Sequence, residues 1–410
     1  MKDFIKHFES QKFKLILFTI ALVIISCNKD ASDPIGPTPV VIIPEVNIQN
    51  VSKASSLTET TMQFYIYSNK ASEKSVSVDY SLIDGTAISP NDYVATSGTV
   101  SIPANQTQAT INIQIKGNPT DLRQPNVEFT IKLSNPKLCT IGTNSAVGTI
   151  ITQNGSFLPT DNTGYTTPLS YPNYSLAWND EFSDSSLDLN TWNQEIGNGS
   201  NGWGNNELEY YTNNLKNTFV SNGNLIIEAR KESLNGFNYS SGRMTTKDKK
   251  QFKFGRIDIR AKLPVDKGIW PALWMLGSNI SSVGWPACGE IDIMELIGTY
   301  PSRVSGTMHW KPVTGSSMHK GSDYNLSSGD FSQKFHVFSI IWKQDSIEWY
   351  VDDVLYGTNT KSDVDSANYP FNADQFFIFN VAVGGNWPGS PDDSTNFPQR
   401  MFVDYVRVFQ

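Results

Sequence analysis

From Val46 onward, apolar and polar residues take turns in short runs, and no stretch sustains a helical period over several turns. Met62-Gln63-Phe64-Tyr65-Ile66-Tyr67 and Ala109-Thr110-Ile111-Asn112-Ile113-Gln114-Ile115 show this in the first half of the chain. Gly255-Arg256-Ile257-Asp258-Ile259-Arg260-Ala261 and Phe402-Val403-Asp404-Tyr405-Val406-Arg407-Val408 show it in the second. Side chains at period two point to opposite faces of a strand, so each run has an apolar face that needs a second sheet to cover it. The pattern predicts an all-β protein built from packed sheets. At 410 residues the chain exceeds one small sandwich. All ten Trp lie between Trp178 and Trp387, which separates a Trp-free first half from a Trp-rich second half. We therefore expect an immunoglobulin-like sandwich over 46–153, a Gly/Ser/Thr/Pro linker over 154–170, and a larger β-jelly-roll sandwich over 171–410.

Composition removes several classes of function. Net charge is −8, which argues against a nucleic-acid partner. Four His and three Cys cannot supply a disulfide framework or a Cys/His zinc site. No organic cofactor is expected.

The N-terminus reads as an address. Lys2, Lys6, Lys12 and Lys14 precede the apolar run Leu15 to Ile25, then Ser26 and Cys27. The run is too short to span a bilayer and suits a secretory signal over 1–26. Ile24-Ile25-Ser26-Cys27 resembles a bacterial lipobox. That resemblance implies lipidation at Cys27, an exported protein held on the outer membrane or cell surface, and a Pro-rich tether over 27–45.

The first module also resembles a known domain. Asp84-Gly85-Thr86-Ala87, Asp92-Tyr93, Ser97-Gly98-Thr99, Ile102-Pro103-Ala104 and Leu133-Ser134-Asn135-Pro136 follow the Calx-beta pattern in order. Some such domains bind calcium through clustered acids, but the segment Asp121 to Glu128 is acid-poor, so a rigid spacer or adhesive role is expected here. The module has no Trp to form a sugar-stacking platform.

The chemistry concentrates at Gly289-Glu290-Ile291-Asp292-Ile293-Met294-Glu295. Glu290 and Asp292 share a strand face by period two, whereas Glu295 falls on the other by parity. A one-residue β-bulge near Met294 returns it to the first face. Three acids on one face repel one another. Their flanks are aromatic (Trp270, Trp274, Trp285, Tyr300, Trp310) rather than cationic, which points to a sugar cleft. With the bulge, Glu290 and Glu295 lie about 13 Å apart at Cα. Their side chains can then lean to the ~5–5.5 Å separation of a retaining glycosidase. Asp292 between them would push their pKa values apart. Spacing does not say which Glu attacks and which protonates.

These residues sit among longer matches: Trp203 to Thr212, Ser241 to Lys247, Gly268 to Leu276, Trp285 to Glu295, His309-Trp310 and Gly384 to Gly389. Together the segments resemble a family 16 glycoside hydrolase of the laminarinase type. The resemblance implies Glu290 as nucleophile, Asp292 as its helper and Glu295 as acid/base. Asn206, Arg243, Trp270, Trp274, Trp285, His309 and Trp387 are the candidate sugar contacts. It also implies a structural calcium ion at Glu181, Gly223 and Asp404, held by backbone oxygens plus one carboxylate. The expected function is retaining endo-hydrolysis of β-1,3-glucan by a monomer. Mixed-linkage glucan, a galactan, transglycosylation and non-catalytic glucan binding remain the alternatives at this point.

Overall fold

The computed structural model describes residues 43–366 and 369–410. The signal segment, Cys27 and most of the tether lie outside the described residues.

The first alternating region folds as two facing sheets. One has four strands in the order Gln108–Ile115, Thr60–Ser68, Glu45–Ile48 and Thr140–Ile141. The other has five, in the order Val51–Ala54, Ser145–Ile151, Val127–Lys137, Val76–Asp84 and Ser97–Ile102. Period two does the sorting: Met62, Phe64 and Ile66 are buried, while Gln63 and Tyr65 between them face solvent. Inside, Tyr93 stacks on Phe129 at 4.3 Å, and its hydroxyl donates to Asp84 Oδ1 at 2.6 Å. Satisfying that hydroxyl is what lets a tyrosine sit at the centre of an apolar core.

The second region is a larger sandwich. A seven-stranded sheet runs in the order Asn193–Gln194, Arg243–Thr245, Gln375–Val383, Ile269–Gly277, Glu290–Glu295, Arg303–Trp310 and Met318–Asn325. A ten-stranded sheet backs it, built around Asn224–Leu234, Gln399–Phe409, Gly255–Lys262, His336–Lys343 and Ser346–Val351. One core cluster lies between them, with Ile257, Ile259, Ile340, Trp342 and Trp349 from the backing sheet meeting Leu273, Met275, Ile291, Ile293 and Phe379. Strand Gln375–Val383 is buried along its whole length, with Phe377, Phe379, Val381 and Val383 in the core and Phe376, Ile378, Asn380 and Ala382 on the face that lines a groove.

The segment 154–170 is not a free linker. Leu158 N donates to Ser221 Oγ at 2.8 Å, and Thr167 N donates to Tyr405 Oη at 2.9 Å. Arg260 and Arg407, largely buried on the backing sheet, donate to the carbonyls of Tyr165 and Thr167 at 2.6 and 3.0 Å. Buried guanidiniums need acceptors, and this segment supplies them. The two sandwiches belong to one compact unit, Pro44–Gln410. Arg123 of the first sandwich donates to Glu228 Oε2 of the second at 2.8 Å and lies over the Phe219 ring at 3.8 Å. Glu228 is fully buried and also accepts from Arg230 and Arg400.

Cys139 and Cys288 are both buried free thiols, one in each sandwich.

Candidate active site

The acidic strand Glu290–Glu295 pairs with Arg303–Trp310 in a register that breaks once. Asp292 faces Thr307 and Glu295 faces Ser305, so Ile293 and Met294 together oppose Gly306. This is the bulge that parity demanded. Ile291, Ile293 and Met294 enter the core, while Glu290, Asp292 and Glu295 line one groove. A bulge leaves backbone groups without ladder partners, and a buried carbonyl needs one. Trp349 of the opposite sheet supplies it: its indole N–H donates to the carbonyl of Asp292 at 2.8 Å. Gly306 makes room for that indole, since a Cβ there would lie 2.3 Å from Trp349 Cδ1.

The groove measures about 940 Å³ and is walled by aromatic side chains. Trp285 N–H donates to Glu290 Oε2 at 2.9 Å, and Trp270 N–H donates to Glu295 Oε1 at 3.1 Å. Each glutamate is thus aimed by its own tryptophan. His309 lies opposite Glu290 in register, with Nε2 3.7 Å from Glu290 Oε1 and 3.2 Å from Asp292 Oδ2. The second contact is off the line of a hydrogen bond, and Asp292 Oδ2 is left buried without one among the described residues. Glu290, Asp292 and His309 converge, with one polar atom from each lying within 4.8 Å of the others.

Three carboxyls in one dry place cannot all ionise. Burial, and then the Asp292 charge, push Glu290 up to about 8. The His309 ring, the Trp285 N–H and the Arg243 guanidinium pull it back. Burial drives Asp292 well above the usual carboxylate range. Glu295 is also driven well above it by burial, then by the charges of Asp292 and Glu290. All three are thus pushed toward their protonated forms, and each glutamate is drawn back by the His309 ring and by the N–H of its own tryptophan.

The expected sugar contacts divide. Trp270, Trp274, Trp285, His309, Arg243 and Trp387 all line the groove. Trp285 and Trp387 are 53% and 44% exposed, open to stack on a sugar face. Trp387 meets Trp270 edge-on at 5.4 Å. Arg243 is sandwiched between Trp203 at 4.3 Å and Trp274 at 4.9 Å and paired with Glu195. Asn206 does not line the groove: its amide donates to Asn386 Oδ1 at 2.9 Å and ties two loops together. The turn at Asn201–Asn206 takes several left-handed residues, and it presents Asn205 to the groove instead. Trp203 and Glu195 line the groove and were missed as contacts. Trp203 lay in a Gly/Asn-rich loop, where a large aromatic has few structural reasons to be. Glu195 carried no local signal.

A polar chain starts on the groove wall and runs through the buried Tyr211. Trp274 N–H donates to Asn380 Oδ1 at 2.8 Å, and Asn380 donates to Tyr211 Oη at 3.1 Å. Tyr211 in turn donates to Glu207 Oε2 at 3.1 Å. Glu209 beside it is fully buried, accepts from Val383 N at 2.6 Å, and is raised well above the usual range by burial and then by the Glu207 charge.

The calcium set behaves differently from the active site. Both Glu181 oxygens accept from Arg407, each at 2.7 Å, and Asp404 Oδ2 accepts from Arg260 at 2.8 Å. Asp404 sits where the register between Gly255–Lys262 and Gln399–Phe409 slips by one residue. The carboxylate of Glu181 is committed, so these residues fit a cation only through backbone carbonyls and Asp404 Oδ1. That is the donor chemistry a hard cation takes.

A model of glycosyl hydrolases family 16 matches residues 205–407, and a Calx-beta domain model matches residues 44–154. A beta-glucanase of Rhodothermus marinus is 40% identical over 250 residues, covering 58% of this chain and 86% of that protein. The chain belongs to glycosyl hydrolases family 16. Glucan endo-1,3-beta-glucosidase A1 of Niallia circulans is also 40% identical, over 58% of this chain, but the match spans only 38% of that longer protein. The laminarinase catalytic domain of Thermotoga maritima MSB8 superposes with a TM-score of 0.54 at 51% identity, covering 58% of this chain and 98% of that one. The family 16 matches fall on the second sandwich, where the three acids lie.

Proposed function

We propose that the protein is an endo-acting, retaining glycoside hydrolase that cleaves β-1,3-glucan of the laminarin type. The observation that carries this reading is the bulged strand that sets Glu290, Asp292 and Glu295 on one face of an aromatic groove. Its likeness to laminarinases and endo-1,3-glucanases supports the choice of glucan. In the first step Glu290 attacks the anomeric carbon while Glu295 gives its proton to the departing glycosidic oxygen, leaving a glycosyl ester on Glu290. In the second, Glu295 takes a proton from water, the water oxygen bonds to the anomeric carbon, and Glu290 leaves as carboxylate. Trp285 holds Glu290, and the charges of Asp292 and His309 tune it. The tryptophans stack on pyranose faces, and Arg243 presents its donors to sugar hydroxyls.

Laminarin, lichenan and agarose, incubated separately with the full chain, test the substrate. Release of β-1,3-linked oligosaccharides from laminarin, first as the β-anomer by NMR, is the expected result. Cleavage of agarose alone would move the protein to galactans, and binding without cleavage would make it a recognition protein.

Two further readings belong to this proposal. A calcium ion held by the carbonyls of Glu181 and Gly223 with Asp404 Oδ1 would brace the backing sheet, and EDTA should then lower Tm without altering the site. The protein would be exported and lipid-anchored through Cys27, so Cys27→Ser should shift it from the membrane to the soluble fraction.

A further inference from the structure

The first sandwich has an outer face that is unusual in an acidic protein. On strand Thr60–Ser68, Thr61, Gln63, Tyr65 and Tyr67 point away from the core, and Tyr65 is 49% exposed. The register sets Asn112 opposite Gln63, Gln108 opposite Tyr67 on one side and Asn47 opposite Tyr67 on the other. The middle of this four-stranded face therefore carries amides, hydroxyls and two tyrosines but, among the described residues, no carboxylate, lysine, arginine or histidine. Among the described residues charge appears at its ends, in the Glu59–Lys116 pair, whose glutamate accepts from Gln114, and at Glu45, which accepts from Asn47 Nδ2 at 3.3 Å. The outer face of the partner sheet is ordinary by comparison, with Asp79, Glu128 and Lys132 on it.

Tyr65 and Tyr67 are two residues apart on one strand, so their rings stand about 7 Å apart along it on a pleated surface. Gln49 donates to Tyr67 Oη, and Tyr65 Oη donates to Gln63 Oε1, both at a long 3.4 Å. Such bonds position the rings and amides without tying them up. A neutral, hydroxyl-rich chain is the ligand that matches this chemistry: its pyranose faces stack on tyrosine and its hydroxyls pair with amides. An anionic polymer would find no cation there, and a nonpolar partner would bury a row of amides at a cost.

We infer that this face is a second glycan-binding surface, one that takes a chain of neutral β-glucan and holds the polymer on the same molecule as the groove. Tyrosine here does the stacking that the absence of tryptophan had argued against. The choice of β-1,3-glucan as the polymer rests on the function proposed above; the surface itself does not.

The test compares the full chain with its Tyr65→Ala/Tyr67→Ala variant and with Gln63→Glu/Asn112→Glu, which leaves the rings and adds charge. Co-sedimentation with particulate β-1,3-glucan is measured in a Glu290→Gln background, and kcat/KM on soluble laminaritetraose is measured with Glu290 intact. Thermal melting confirms that each variant is folded. The tyrosine variant should bind particles about tenfold more weakly, the loss expected when two ring stacks go. The charged variant should weaken binding in the same direction, and kcat/KM on the tetraose should stay within about twofold for both. Equal binding by parent and variants would overturn the inference, as would tyrosine-dependent dimerisation with no glycan effect. Tyrosine-dependent binding in a chain that cleaves no β-1,3-glucan would uphold the surface and sink the proposed activity. Cleavage with tyrosine-independent binding would do the reverse.

Discussion

Replacing Trp349 with Phe tests whether the active site is built from the far side of the core. The indole N–H satisfies the Asp292 carbonyl at 2.8 Å, and both residues are almost fully buried. Phenylalanine fills most of the space but donates nothing. An unsatisfied buried carbonyl costs about 1–3 kcal/mol. The smaller ring forfeits roughly another 1 kcal/mol of apolar contact. Released from its anchor, the bulge should let Asp292 and Glu295 drift, and a displacement of order 1 Å in a catalytic group costs up to ~100-fold in rate. Trp342→Phe is the matched control: it is equally buried, and its N–H donates to the Phe371 carbonyl at 2.7 Å rather than to the bulged strand. Urea denaturation and kcat on laminarin are read for both. Similar losses of stability are expected, with kcat falling at least about tenfold more for Trp349→Phe. If kcat falls equally in the two variants, Trp349 does not hold the catalytic bulge and the reasoning fails.

Three other outcomes follow from the same geometry. The Asp292 charge raises Glu290, so Asp292→Asn should move the acidic limb of the kcat/KM profile to lower pH, while Trp285→Phe, which removes a donor to Glu290, should move it higher; shifts of the opposite sign would refute the electrostatic account. Glu228→Gln leaves Arg123, Arg230 and Arg400 around a neutral side chain, and the thermal transition should record a loss of about 3–5 kcal/mol, whereas a loss below about 1 would mean that this buried cluster does not join the sandwiches. Burial raises Glu209 well above its ordinary range in the fold, so native stability should fall as pH rises from that ordinary range toward the raised value; Glu209→Gln should flatten this fall in denaturation followed against pH, and an unchanged slope would refute the assignment.

Much of this protein is legible in its residues because strands advertise themselves locally. Alternation sorted Met62, Phe64 and Ile66 from Gln63 and Tyr65, and it did the same for Ile257 and Ile259. The acids were legible for a subtler reason: Glu290 and Glu295 have the wrong parity for a regular strand, so their shared role required a bulge. What closes that bulge was not legible. Trp349 lies 57 residues beyond Asp292 on the other sheet, and nothing in its neighbourhood announces a bond to the acidic strand. Arg123 meets Glu228 across 105 residues, and the segment 154–170 reads as a linker until the arginines it satisfies are seen around it. Asn205 and Asn206 show the limit most sharply. Adjacent, identical residues in one motif take opposite duties, and left-handed backbone in the turn decides which one faces the groove.

The central claim is that Glu290 attacks and Glu295 protonates. Azide rescue tests it directly, using Glu290→Ala and Glu295→Ala with an activated aryl β-glucan oligosaccharide. Without its nucleophile, Glu290→Ala should let azide attack the anomeric carbon itself and release the α-glycosyl azide. Glu295→Ala should still form the ester on Glu290, and azide should displace it to give the β-glycosyl azide. The opposite pairing of variants and anomers would exchange the two roles, and rescue of neither would contradict the two-glutamate mechanism.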